Sequence, residues 1–235
     1  MDVAGSVALV TGGNRGFGAS LCASLVERGA TKVYAGARDV STVTTPGVEA
    51  VQLDITSPAD VEAAVAHCGD VTLLINNAGI GTGTGVLADD AMVQLQRELD
   101  TNVFGPLAMS RAFAPVLAAN GGGAMVNVLS VLSWLAAPPS ALYCAAKAAS
   151  WSLTNSLRLE LAAQHTQVVA VHVGFMDTDM TARLNVPKSS PDDIARLVLD
   201  AVEGGDSEVL ADDASRRVKA ALSGELTLLY PAIAS

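Results

Sequence analysis

A chain of 235 residues with 24 acidic against 14 basic side chains carries a net charge of −10, which excludes general attraction to nucleic acid or anionic membranes. Half of it is apolar but only 4% is aromatic, so the core must be built from Ala, Val and Leu, as buried parallel strands and their covering helices are. Cys22, Cys68 and Cys144 are unpaired by spacing, the three histidines suggest no metal, and no apolar run approaches the ~18 residues of a membrane span; the expectation is a cytoplasmic protein with reduced thiols, no export signal and no metal.

In chain order, residues 6–11 predict an apolar strand that runs into Gly12, after which Phe17, Leu21 and Leu25 recur at helical spacing until Gly29. Strands follow at 32–37 and 48–53, joined by a crossover too short for a full helix. Ser57 and Pro58 supply an N-cap and a first helical residue for a helix to about Cys68. A fourth strand covers 71–75, a long helix 89–119, and a fifth strand 124–130. A helix over 141–164 precedes a sixth strand at 167–173, and Ser190-Pro191 opens a helix to about Val202. A short strand at 208–211 leads into a last helix, while 178–190, with Pro187, is an irregular insert and candidate substrate lid. Alternating βα units of this kind form a parallel sheet covered on both faces, with ligands at the carboxyl ends of the strands. With no repeat or linker to divide it, the chain is expected to be one domain over 1–235.

The turn Thr11-Gly12-Gly13-Asn14-Arg15-Gly16-Phe17-Gly18 sits where a strand hands over to a helix, so backbone N–H groups and a helix N-terminus can meet a pyrophosphate. The glycines of 80–85 lack that handover and read as a mobile loop. NAD binders place a carboxylate at the end of the second strand for the ribose hydroxyls, but here the strand ends Gly36-Ala37-Arg38. Arg38, with Arg15, suits an adenosine 2′-phosphate through charge-assisted hydrogen bonds, so NADP(H) is expected over NAD(H). Two solvated surface arginines are the plain alternative, and the adjacent Asp39 weakens the electrostatic case.

Tyr143 and Lys147, four apart in a helical stretch, share one face. An ammonium beside a phenol favours phenolate, which would lower the tyrosine's pKa and make it an acid/base near neutral pH. Ser130, at the end of a strand, can direct its hydroxyl into the same crevice. Together with Asn76-Asn77-Ala78-Gly79 after the fourth strand, these motifs resemble the short-chain dehydrogenase/reductase family over nearly the whole chain, to about residue 180.

That resemblance implies a Rossmann-type, doubly wound parallel sheet with helices on both faces. It implies a tetrad: Tyr143 as proton donor and acceptor, Ser130 on the substrate oxygen, Lys147 on the nicotinamide ribose, and Asn102 anchoring a water in a proton relay. It implies a cofactor site at Gly12, Asn14, Arg15, Gly16, Phe17 and Gly18, at Arg38, Asp54 and Ile55 on the adenine side, at Asn77, Ala78 and Gly79, and at Gly174 and Thr178 beside the nicotinamide. The family's proline before Gly174 is replaced by Val173, which leaves that loop's φ unfixed. Ser133 and Ser140 read as loop hydroxyls, Cys144 as a packed thiol and His172 as structural, while Phe175, Met176 and Met180 suit either core or an apolar substrate pocket. The expected protein is an NADP(H)-dependent oxidoreductase on a small or medium carbonyl/alcohol substrate, a homodimer or homotetramer, with an NADP(H)-binding sensor or scaffold as the alternative. An epimerase retaining NAD would want a ribose-binding carboxylate and a larger substrate domain.

Overall fold

The computed structural model of the protein describes residues 1–231. Strands β1 (Val7–Thr11), β2 (Lys32–Ala37), β3 (Glu49–Gln52), β4 (Leu73–Asn76), β5 (Ala124–Val128), β6 (Gln167–His172) and β7 (Glu208–Leu210) form one seven-stranded sheet in the order β3-β2-β1-β4-β5-β6-β7. Every pairing is parallel, with Val10 level with Ala35 on one side and Ile75 on the other. This is the doubly wound α/β fold expected from the alternation of strands and helices.

Side chains alternate along each strand, and the alternation divides the core in two. Ala8, Val10, Leu73, Ile75, Val169 and Val171 face helices α1 (Gly16–Glu27) and α6 (Pro191–Gly204) through Leu21, Leu25, Val198 and Leu199. Leu9, Leu74 and Met125 face the other way, against α2 (Pro58–His67) and α4 (Gly105–Ala119) through Val61, Met109, Phe113 and Leu117. Helix starts follow the caps read from sequence: Ser57 Oγ accepts from Asp60 N–H at 3.3 Å, and Ser190 Oγ from Asp193 N–H at 3.4 Å. The β2–β3 crossover holds only a 3₁₀ turn, Val40–Thr42.

Three expectations change. The long helix over 89–119 is two: α3 (Ala91–Leu99) and α4, joined by a π-helical turn at Asp100–Phe104 that carries Asn102. The fifth strand ends at Val128, so Ser130 lies beyond it and caps the 3₁₀ turn Val131–Ser133. The helix predicted to Gln164 is α5 (Ala141–Glu160) followed by a 3₁₀ turn, Ala162–Gln164, because the chain must reverse through His165 at φ 60° to enter β6. The last elements of the described residues are α7 (Asp213–Ala221) and the short α8 (Leu226–Leu229). Among the described residues no helix is long and apolar enough to cross a membrane, and no group of three or more His, Cys, Asp or Glu is placed to hold a metal ion.

Candidate active site

The order in which successive strands join the sheet reverses between β1 and β4, so a crevice opens at their carboxyl ends. The glycine turn after β1 and the Asn77–Gly79 turn after β4 meet there. Thr11 Oγ1 accepts from the N–H groups of Asn77 and Ala78, both at 3.0 Å, and Asn77 Nδ2 donates to the carbonyls of Thr11 (2.9 Å) and Gly12 (3.2 Å). So close is the contact that a Cβ on Gly12 would fall 3.1 Å from Ala78 Cα, and one on Gly18 would fall 2.0 Å from the Gly12 carbonyl oxygen. No side chain caps the first turn of α1, whose N-cap position is Arg15, so its N–H groups remain available. Phe17, at the start of α1, is buried in the core. A dinucleotide pyrophosphate fits this donor set.

Beyond the end of β2, Arg38 is exposed and lines an open groove with buried Ile55. Asp39 turns away into its own 3₁₀ turn, where Oδ1 accepts from Ser41 N–H (3.0 Å) and Oγ–H (2.6 Å). Asp54 Oδ1 likewise accepts from Thr56 Oγ–H at 2.7 Å and N–H at 2.9 Å; that hydroxyl chiefly, with a smaller help from Arg38, holds the carboxyl below its ordinary range. Asn14 Nδ2 donates to Thr42 Oγ1 at 2.9 Å, tying the glycine turn to the crossover.

The segment 174–190 crosses above the glycine turn. Its base is closed by Asp177 N–H to Ser189 O (3.0 Å) and Ser189 N–H to Phe175 O (2.8 Å), and it rests on the turn through an exposed Arg15–Asp179 ion pair at 3.1 Å. Thr178 lies over Gly16, where an added Cβ would meet its methyl at 3.5 Å. Met176 packs on the core, whereas Phe175 and Met180 stay exposed. A Cβ on Gly81 would sit 3.9 Å from both Met180 Sδ and the Tyr143 ring, so Met180 lies near the tyrosine. Sequence reading missed what fixes the loop without its proline: Asp212 Oδ2 accepts from Gly174 N–H at 2.7 Å.

Tyr143, Lys147, Ser130 and Asn102 are brought together around this crevice. Lys147 Nζ lies 5.6 Å from the Tyr143 ring centroid and donates to Val128 O at 2.8 Å. Ser130 Oγ accepts from Leu132 N–H at 3.1 Å and donates to Val173 O at 3.4 Å. Asn102 Oδ1 accepts from Ile80 N–H and its Nδ2 donates to Ile80 O, both at 3.0 Å.

The electrostatics differ from expectation. Tyr143 is raised, not lowered: burial is the main cause, the carboxylate of Glu98 adds to it, and hydrogen bonding to Ser130 only partly opposes both. Burial also pulls Lys147 down to about 8, against the opposing pull of Glu98. Glu98 is fully buried, and nothing in the linear pattern but its place one helical turn before Asn102 could have singled it out. Burial raises the Cys144 thiol too, and its sulfur accepts from Ala137 N–H at 3.3 Å, so it is a packed thiol.

Behind Ser130, His172 is fully buried, stacked on Trp134 at 3.7 Å between centroids, with Nδ1 3.1 Å from Ser130 O. Burial lowers its pKa to about 4, so it is neutral and its 3.7 Å approach to Glu208 is not an ion pair at neutral pH. The unfolded chain takes up this proton below about 6.5 and the folded one only near 4. Stability is therefore fully present above pH 6.5 and falls by about 3 kcal/mol as pH drops through that window. Unfolding of His172→Gln measured from pH 7 to 4 should show a correspondingly flatter decline; an unchanged slope would count against the assignment.

Residues 6–189 match the family described as short chain dehydrogenase. The 3-alpha-(or 20-beta)-hydroxysteroid dehydrogenase of Mycobacterium tuberculosis is 35% identical over 186 residues, 75% of this chain and 71% of that protein. A short chain dehydrogenase from Burkholderia cenocepacia, solved in complex with NADP, superposes with a TM-score of 0.94 at 39% identity over 100% of both chains. The 3-ketoacyl-(acyl-carrier-protein) reductase of Brucella melitensis, solved with NADH, gives a TM-score of 0.78 at 28% identity, covering 88% of this chain and 96% of that one. With its parallel sheet, its glycine turn and its Tyr143–Lys147 pair, the chain belongs to the short-chain dehydrogenase/reductase family.

Proposed function

We propose that the protein is an NADP(H)-dependent oxidoreductase that reduces a small or medium, partly apolar carbonyl, with Tyr143 as the proton donor. The observation that carries this reading is the convergence of Tyr143, Ser130, Lys147 and Asn102 on the crevice that the glycine turn opens. The nicotinamide, when bound, supplies the hydride to the carbonyl carbon. Ser130 holds the carbonyl oxygen by hydrogen bond, and Tyr143 delivers its phenolic proton to that oxygen. Lys147 binds the nicotinamide ribose, and Asn102 fixes the relay that returns the proton. A phenol raised by burial and by Glu98 is protonated at neutral pH, which suits reduction over alcohol oxidation. The exposed Phe175, Met180 and Leu184 of the lid favour an apolar substrate body.

NADP(H) preference rests on Arg38, exposed at the end of β2 with Asp39 engaged by Ser41, and on Arg15, whose exposed guanidinium pairs with Asp179. Arg38→Ala should raise the NADPH KM about tenfold or more and leave the NADH KM nearly unchanged, since a charge-assisted bond to phosphate contributes ~1.5–3 kcal/mol. Equal changes in both would contradict the assignment. Exposed Met92, Phe104 and Leu159 support assembly as a homodimer or homotetramer, and the unpaired thiols support a cytoplasmic setting. A spectrophotometric screen of NADPH and NADH oxidation against a carbonyl panel tests the whole reading. Tight NADPH binding with no turnover on any carbonyl would leave a nucleotide sensor instead.

A further inference from the structure

Glu98 and Lys147 are two buried charges on different helices, and neither forms an ion pair at contact distance among the described residues. Glutamate and lysine are almost never buried without a compensating charge. Glu98 Oε2 accepts from Asn102 Nδ2 at 2.6 Å, and Oε1 accepts from Thr82 N–H, also at 2.6 Å. Asn102 in turn clasps both backbone groups of Ile80. Between Asn102 and the lysine lies Gly79, where an added Cβ would sit 2.9 Å from Asn102 Oδ1 and 3.9 Å from Lys147 Nζ. One carboxylate therefore grips the π-helical turn and the 79–85 loop, and a single glycine separates its amide partner from the ammonium.

We propose that Glu98 is a positioning residue of this site: its two short hydrogen bonds fix Asn102 and the 79–85 loop, and its buried charge is the counterion of Lys147. The inference rests on the oxidoreductase reading for its catalytic meaning but not for its electrostatics. The titratable groups that face Glu98 all come from α5: Tyr143, Cys144 and Lys147, each of which its charge raises. The 79–85 loop brings none, and its neighbours on the same helical stretch, Arg97 and Asp100, bond to Gln94 and Gln96. The carboxylate thus keeps the lysine charged against burial, and keeps the tyrosine in its proton-carrying form. Asn102 would act through Glu98 in a second sense, because an amide held by a carboxylate acceptor cannot flip: its Nδ2 side is committed, so Oδ1 stays on the Ile80 N–H.

The test titrates the lysines of the full chain by carbon NMR after isotopic labelling, with Lys147→Met identifying the Lys147 signal. In E98Q the Lys147 midpoint should fall by about one pH unit, and in E98D, which keeps the charge, it should stay close to the natural protein. A folded E98Q with an unmoved Lys147 midpoint overturns the proposal. If E98Q proves too unstable to titrate, adding Lys147→Met should recover the lost thermal stability, as removing both members of a counterion pair does; no recovery overturns it equally. The catalytic consequence is read separately. E98Q should lower kcat for carbonyl reduction and shift its pH profile to lower pH with little change in the NADPH KM, while E98D restores the profile. A shifted lysine midpoint in a protein that turns over no carbonyl would uphold the counterion and remove only the oxidoreductase reading.

Discussion

Tyr143→Phe should lower carbonyl reduction by about 10²–10⁴-fold while leaving NADPH affinity within about twofold of the natural protein. The substitution removes one oxygen and keeps the ring, so what is lost is the proton and not the shape of the crevice. Ser130 Oγ keeps its bonds to Leu132 N–H and Val173 O, and Lys147 keeps Val128 O, so the neighbouring groups are not left unpaired. Thermal stability should therefore change little, which separates this variant from a misfolded one. Steady-state kinetics with NADPH, alongside cofactor titration by fluorescence, provide the measurement; turnover that survives the change would assign the proton to another group.

Gly18→Ala should cost about 3 kcal/mol of stability and at least about tenfold in NADPH affinity. Its Cβ would lie 2.0 Å from the Gly12 carbonyl oxygen and 2.6 Å from Asn77 Nδ2, neither of which can retreat cheaply. The first is backbone, and the second is already donating to Thr11 O and Gly12 O. Helix α1 must lift away from β1, carrying with it the N–H groups that would face the pyrophosphate. Gly16→Ala is the informative contrast, because φ at Gly16 is 52° but the nearest atom to an added Cβ is 3.5 Å away. Only the left-handed backbone is then penalised, at ~1–2 kcal/mol. Unfolding curves on the two variants should differ accordingly, and a Gly18→Ala protein as stable as Gly16→Ala would contradict the close-contact argument.

The strands were legible because their Val, Leu and Ala runs are bounded by glycines and polar turns, and the caps at Ser57 and Ser190 because their chemistry is local. The glycine turn and the Tyr143–Lys147 spacing were legible for the same reason: each places its groups within one or two helical turns. What escaped was set by partners distant in sequence. A π-helical turn at Asp100–Phe104 has no apolar period to announce it, yet it is where Asn102 bonds Ile80, 22 positions away. The direction of the Tyr143 shift was misjudged because the lysine four residues on is visible in sequence, while the burial and the Glu98 carboxylate that outweigh it belong to the folded molecule. Val173 in place of proline leaves that loop's φ unfixed, but Asp212, 38 positions downstream, ties down Gly174.

The 174–190 segment is closed at its base by two backbone hydrogen bonds and meets the glycine turn through Arg15–Asp179, with Thr178 over Gly16. Phe175, Met180, Leu184 and Val186, four exposed apolar side chains, all belong to that one excursion. On the proposed reading, substrate preference would belong to this excursion and proton chemistry to the crevice beneath it. A relative's excursion of equal span, grafted between Gly174 and Ser190, should redirect the enzyme to new carbonyls and leave the hydride and proton parts as they are.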